Sequence, residues 1–373
     1  MNASRLVWSV CTRLVVPSLA FLLAGGCGPP EGNGFSSTLQ VPPKPGDGYE
    51  LVRTKDEPHA ISVIGVGGNS LFFGAPRQGV YEMPKYGGPI ETVDRGTGVL
   101  GLVASADEVV WLKAAPDTPT QMVLRRPTNG GETAILRHGN LNTIGYDNEN
   151  ELVADASHVY TITQTAPLSA TAIPETVIDV IPIAGGEAEH VALPPDQRGP
   201  YVTVAGDYPV VYFTACAGVI RQCALQKVDL SAGTSEVVAA ASDFDAIVGL
   251  DEDAVYLLGD RGLWSIARAD GSERVLVGAE SGIFPSRPFG IDGQSLYFMG
   301  KDPGASVLPA ERLMTIPKAG GSIAIIGSDS RINKFEPWGL AVDDQFVFVL
   351  TSTTTVDSGN EILAFPKTLP PAP

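Results

Sequence analysis

The sequence predicts an all-β fold, a seven-bladed β-propeller with four antiparallel strands per blade and an N-terminal strand that closes the ring. Three observations predict it. First, a phrase recurs seven times: a short apolar strand, a tight turn, then an aromatic-centred strand, as in VIGVGGNSLFF, VGLDEDAVYLL and FGIDGQSLYFM. Its aromatic anchors, Phe72, Trp111, Tyr160, Tyr212, Tyr256, Tyr297 and Phe348, are 39 to 52 residues apart, the period of a strand-built blade. Second, a variable stretch after each anchor leads to a strand, a Gly-centred turn and another strand, as in LWSIARADGSERVLV and LMTIPKAGGSIAII. Third, the seventh copy stops after NEILAFPK, and an unclaimed strand-like segment, YELVRTK at 49–55, lies upstream of the first copy.

Within each copy the turns explain their own composition. Five residues before the anchor stand Gly67, Ala106, Asp155, Asp207, Asp251, Asp292 and Asp343. Five Asp at one offset suit a turn in which the carboxylate accepts from backbone N–H groups two and three residues on. The series is not read as a metal ring, because each Asp belongs to a different blade. Gly-Gly, Asp-Gly and Ala-Gly supply the positive φ of two-residue hairpins. The four strands, lettered A to D from the axis outwards, form one blade. If 49–55 supplies the missing strand D of blade 7 beside 361–367, no blade keeps an open edge.

Residues 1–26 carry Arg5 and Arg13 ahead of the apolar run LVVPSLAFLLA, the pattern of a secretory signal and too short for an ordinary membrane span. Residues 27–48 are rich in Pro, Gly and Ser and are expected to be an extended, disordered tether reaching up to roughly 60 Å. The propeller is expected over 49–367, with a C-terminal tail at 368–373. Cys216 and Cys223 bracket the turn between strands B and C of blade 4, and an oxidising envelope would let them pair as a disulfide.

The net charge is −17 and falls to about −19 without the leader. No Lys/Arg-rich stripe is present, so nucleic acid and anionic lipid are excluded as partners by the overall field.

Propeller geometry places the A–B and C–D turns on one face and the B–C loops and D–A links on the other. The second set is long, as in QTAPLSATAIPET and SDSRINKFEPW, and long loops on a rigid scaffold are the usual place for binding. The candidate ligand-binding residues near the central mouth are His138, Arg198, Asp245, Arg287, Phe289 and Trp338. The competing reading of Phe289 and Trp338 is packing between blades. No G-x-S-x-G, H-E-x-x-H, phosphate-cradling Gly loop or EF-hand run is found, and the four His lack metal-ligand spacing. No catalytic residue, metal or cofactor is therefore assigned.

The segment LAGGC at 23–27 resembles the bacterial lipoprotein processing site, which implies lipid on Cys27; Ala24 stands where that site carries Leu. Gly28 after the Cys implies sorting to an outer membrane. The blade phrase LYF…LMTIPKAGG resembles the repeats of propeller lipoproteins of δ-proteobacteria (myxobacteria). Blade 5, AVYLLGDRGLWSIARADGSERVLV, is similar to YWTD-type receptor propellers, although that class has six blades. Both resemblances imply binding or scaffolding and carry over no functional residue. The expected function is thus a monomeric, lipid-anchored, cell-envelope propeller that binds a protein or glycan through its loop-rich face. The alternative is a hydrolase or lyase acting on an extracellular polymer at the central mouth.

Overall fold

The computed structural model describes residues 35–37, 48–54, 61–114, 121–139, 152–164, 176–193, 203–217, 222–241, 246–302, 310–328, 332, 335–353 and 360–367. Seven antiparallel sheets form the ring. Blade 1 comprises Val63–Gly67, Ser70–Ala75, Gly79–Pro84 and Glu91–Arg95; blade 2, Val99–Ala104, Glu108–Ala114, Gln121–Pro127 and Ala134–Gly139. Blade 3 comprises Val153–Ala154, His158–Gln164, Thr176–Pro182 and Glu189–Ala192; blade 4, Thr203–Asp207, Val210–Ala217, Gln222–Asp229 and Thr234–Ala241. Blade 5 comprises Ala246–Leu250, Ala254–Gly259, Gly262–Ala267 and Glu273–Val277; blade 6, Phe284–Ile291, Ser295–Asp302, Ala310–Pro317 and Ala324–Gly327. Blade 7 takes strands A to C from Phe335–Val342, Phe346–Thr353 and Glu361–Pro366, and strand D from Tyr49–Thr54.

The predicted closure is present. Tyr49 faces Ala364 and Arg53 faces Glu361 in an antiparallel ladder. Leu51 and Val52 bury against Phe348, Leu350 and Ile362 of blade 7 and Ile64, Leu71 and Phe73 of blade 1. The chain ends are thus joined through backbone bonds on one side and apolar packing on the other.

Burial follows the repeat. All seven aromatic anchors are buried, from Trp111 and Phe348 at 0% exposure to Tyr297 at 5%. The core divides into seven apolar clusters, and each one lies between two consecutive blades. Close approach of the inner strands depends on small residues. A Cβ on Gly67 would stand 2.0 Å from the Ser105 carbonyl oxygen in the next blade, and one on Gly290 2.3 Å from Leu340.

Strand D carries a feature that the repeat phrases do not reveal. In six blades its register slips by one residue, at Val93, Leu136, Val238, Leu276, Ile326 and, in the closing strand, Leu51. Each bulged side chain packs into the cluster shared with the following blade. A bulge bends and twists a strand, so the outermost strand folds over the interblade seam. The residue just before the bulge is left facing solvent, which explains the exposure of Ile135, Val237, Val275 and Ile325.

One difference from the sequence reading lies in the segment 27–48. Phe35–Ser37 is not part of an unpaired tether: it forms a fifth strand, strand E, antiparallel to strand D of blade 7, with Phe35 facing Thr54 and Ser37 facing Val52. Strand D of blade 7 is an outer edge with free backbone donors and acceptors, and Phe-Ser-Ser lacks the Pro and Gly that surround it. Gly48 is also placed, buried where a Cβ would meet the Phe365 ring at 2.6 Å.

Candidate functional site

The two faces of the ring are built differently. On the short-turn face, Asp155, Asp251, Asp292 and Asp343 cap their turns as expected, whereas Asp207, with Pro209 two residues on, instead pairs with Arg268. Asp251 Oδ1 accepts from the N–H groups of Asp253 and Ala254 at 2.9 and 2.8 Å, and Asp292 and Asp343 repeat the pattern. The second carboxylate oxygen takes the anchor hydroxyl five residues on, in the pairs Tyr160–Asp155, Tyr256–Asp251 and Tyr297–Asp292. The two copies without Asp have anchors without a hydroxyl, Phe72 and Trp111. The Trp111 indole N–H instead donates to Asp94 of the preceding blade at 3.0 Å.

A cation completes the motif from the neighbouring blade. The residue just after strand C donates its backbone N–H to the A–B turn of its own blade, Lys85 to Asn69 and Lys318 to Gln294, for example. Its side chain crosses to the Asp of the blade before. Arg268 meets Asp207 at 2.8 Å, Lys318 meets Asp251 at 2.6 Å, Lys367 meets Asp292, and Lys85 meets Asp343 at 2.9 Å across the closure. Opposite Gly67 and Ala106, which cannot pair, the equivalent residues are Thr128 and Ile183.

These contacts hold proton positions. Burial opposes ionisation of Asp155, Asp251, Asp292 and Asp343, but hydrogen bonds outweigh it, joined by a lysine at all but Asp155, whose counterpart after strand C of blade 4 is Leu230, and all four stay below the usual carboxylate range, Asp292 at about 2. Burial and the adjacent carboxylate push the hydroxyls of Tyr160, Tyr256 and Tyr297 well above the usual phenol value. Groups held this far from neutrality are poor proton shuttles near pH 7. The Ser157 hydroxyl does lie 2.8 Å from His158 Nδ1. It also lies 3.0 Å from Asp155, which accepts from both Ser157 and the turn backbone. The acid thus contacts the serine and not the imidazole, unlike a catalytic triad.

The loop-rich face carries the sequence candidates, and the structure separates them. Arg198 and Asp245 lie outside the described residues. Arg287 is half-buried on the inner strand of blade 6, where the register slips between Ser286 and Phe289. Trp338 occupies a similar slip in blade 7, between Pro337 and Gly339. Blade 2 has a third, which leaves Leu100 37% exposed beside Val99 at 1%. Bulges on inner strands re-aim side chains: Leu100 and Arg287 stand out of the ladder near the loop-rich ends of their strands, whereas Val248, at a fourth slip in blade 5, packs into the seam with blade 6.

Two candidates do not belong to the mouth. Phe289 stacks on Phe298 at 5.9 Å in the seam between blades 5 and 6, which bears out the packing reading. His138 lies on strand D of blade 2, exposed at the outer rim and not at the mouth, because strand D continues to Gly139, beyond the apolar residues of the repeat phrase.

Two further clusters escaped the sequence reading. Asp179, 1% exposed on strand C of blade 3, accepts from His190 Nδ1 at 2.5 Å and Thr163 at 3.3 Å and meets Arg137 of blade 2 at 3.5 Å. A cleft of ≈ 340 Å³ opens between blades 4 and 5 on the short-turn face, floored by Tyr212 and Val255 and walled by Lys227, Glu236 and Arg268. Both are interblade features with paired charges. Cys216 and Cys223 are direct partners in the ladder between strands B and C of blade 4, and Cys223 is buried. Among the described residues, no group of three or more His, Cys, Asp or Glu could hold a metal ion, and no helix is long and apolar enough to cross a membrane.

Comparison with known structures supports the architecture. The chain is similar to the β-propeller domain of the Trilobed protease from Pyrococcus furiosus, with a TM-score of 0.62 at 10% identity, covering 84% of this chain and 97% of that one. It is also similar to an acylaminoacyl peptidase from Pyrococcus horikoshii, with a TM-score of 0.59 at 10% identity, covering 82% of this chain and 50% of that one. A third similar structure is an oligogalacturonate lyase from Vibrio parahaemolyticus, with a TM-score of 0.55 at 12% identity, covering 90% and 98%. The match thus spans nearly the whole of the first and third of these solved chains, the first being itself a domain of its protease, and half of the peptidase chain. No protein-family model and no curated protein matches the sequence. At these identities the likeness is one of fold.

Proposed function

We propose that this chain is a lipid-anchored propeller of the cell envelope, attached through Cys27, that binds a protein or glycan with its loop-rich face. The observation that carries the reading is the inequality of the two faces. On the short-turn face the Asp of the A–B turns and the cations that follow strand C are engaged in turn caps and interblade ion pairs. On the other face, inner-strand bulges turn Leu100 and Arg287 out of the regular ladder beneath the long connections. A rigid ring with one such face is a scaffold for recognition, and the acidic charge of −17 suits a basic or neutral partner.

Pull-down from envelope extracts should recover a partner that is lost when 303–309 and 165–175 are replaced by short Gly-Ser turns. Unchanged partners in both loop variants would count against the face. Separately, Cys27→Ser should abolish lipid labelling and move the chain from the membrane to the soluble fraction.

The second reading is an enzyme acting on an extracellular polymer at the mouth. Arg287 on a bulged inner strand favours it, since a guanidinium there could hold a uronate or another acidic group. Turnover of an acidic polysaccharide that Arg287→Ala abolishes without unfolding would establish it.

A further inference from the structure

We infer that strand E turns the loop-rich face toward the bilayer, so that the partner of this face lies at the membrane surface; the inference rests on lipid attachment at Cys27. The argument comes from strand direction. Strand D of blade 7 runs from Tyr49, beside Ala364, to Arg53, beside Glu361. Glu361 opens strand C, directly after the B–C connection, so the Arg53 end of strand D lies at the loop-rich face. Strand E is antiparallel to strand D, with Phe35 opposite Thr54. The chain preceding Phe35 therefore leaves the ring at the loop-rich face.

Without strand E the exit would be at the other face. The first placed residue would then be Gly48, seated against Phe365 near the short-turn end of strand C. Pairing of three residues thus reverses the face from which the anchor leaves. It also shortens the free connection. Cys27 to Phe35 is eight residues, at most about 28 Å when fully extended and on the order of 16 Å as a flexible chain. A strand of six residues makes the ring about 20 Å deep. Setting the short-turn face on the bilayer would require the connection to run almost taut along the rim. Setting the loop-rich face there requires nothing of the kind.

Two measurements test the inference and separate it from the anchoring reading. In full-length Cys27→Ser protein, the pair Ser36→Cys and Arg53→Cys should cross-link under mild oxidation, because these residues are partners in the ladder. This arm needs no lipid. The lipidated chain is then placed in vesicles containing an acceptor lipid, with a donor dye on an azide side chain introduced at Glu280 or at Ala269. Glu280 is exposed in the D–A link before blade 6, and Ala269 is exposed in the C–D turn of blade 5. Energy transfer should be greater from 280 than from 269, and replacing 35–37 by Pro-Gly-Pro should erase or reverse that order. Absence of the cross-link, greater transfer from 269 in the unmodified chain, or an order indifferent to 35–37 would each overturn the inference. If the cross-link forms but Cys27→Ser is retained on vesicles like the parent, it is the anchoring reading that fails, and the orientation falls with it.

Discussion

Lys85 Nζ of the first blade stands 2.9 Å from Asp343 Oδ2 of the last, with side chains only 8% and 10% exposed. Asp343 also caps its own turn through Oδ1, accepting from Gln345 and Phe346 at 2.7 Å each. The pair therefore joins a local turn to the closure of the whole ring, 258 residues away in sequence.

Asp343→Asn keeps an oxygen for the two turn N–H groups and removes only the charge facing Lys85. It should destabilise the fold by about 1–3 kcal/mol, since it leaves a largely buried ammonium with only the exposed Asp344 nearby. Lys227→Met breaks a pair whose Glu236 is 63% exposed and should cost about 0–1 kcal/mol. Urea denaturation of both variants checks this. Equal losses would show that the closure pair is no different from a surface pair.

The pH dependence follows from the same carboxylates. For Asp292 burial acts upwards, but Lys367, the N–H groups of Gln294 and Ser295 and the Tyr297 hydroxyl bring its folded value down to about 2 from the ordinary carboxylate value of 3.8. A depressed folded pKa contributes stability that is complete above the unfolded value and lost as pH falls through the folded one. Asp155, Asp251 and Asp343 shift in the same direction. Thermal midpoints should hold steady above the carboxylate range and fall between about pH 4 and pH 2. Asp292→Asn should be less stable at neutral pH and show a shallower acid decline. An unchanged acid slope would mean that Asp292 does not titrate with folding.

Much of this was legible in the sequence, and the reason is physical. A propeller repeats its local physics, so turn Asp, anchor aromatic and hairpin Gly recur at offsets short enough to see. The closure was legible because a missing strand at one end matched a spare strand at the other. The cations opposite the turn Asp were in view, as Lys318 in PKAGG and Arg268 in ARADG, but they belong to the next blade. Their partners lie 61 to 75 residues back, or across the closure. The strand D bulges left no local mark, because a bulge is a relation between two strands. The place of His138 on strand D is hidden for a related reason: the end of an outer strand and the start of a link have the same composition, and only the ladder separates them.

The closing strand tests the ring as a unit. Val52 is fully buried between blades 7 and 1, so Val52→Asp places a carboxylate in an apolar seam without a partner. A loss of more than about 3 kcal/mol is expected, with tryptophan fluorescence at Trp264 in blade 5 and at Trp111 in blade 2 changing in one transition. Deleting 49–55 should expose the backbone edge of strand C and promote aggregation. Deleting 28–34, which removes neither strand E nor strand D, should leave the midpoint unchanged. Two separate transitions, or equal midpoints for the two deletions, would refute a closure that holds the whole ring.

The cysteines of blade 4 provide the last test. Cys216 faces Cys223 as a direct antiparallel partner, and the Cα separations of such pairs, about 4.5–5.5 Å, fall within the range a disulfide spans. The expectation is that they are joined in an oxidising compartment. Thiol counting of the unfolded, unreduced protein after block of Cys27 should then find neither, and mass analysis should find them in one cross-linked peptide. Closing so short a loop contributes about 2–3 kcal/mol on the chain-entropy estimate. Reduction, or Cys223→Ala, should lower stability by that order and loosen the B–C connection of blade 4, while the interblade ion pairs on the opposite face keep the ring intact. Two free thiols in protein prepared from the envelope would remove both the bond and one argument for an oxidising location.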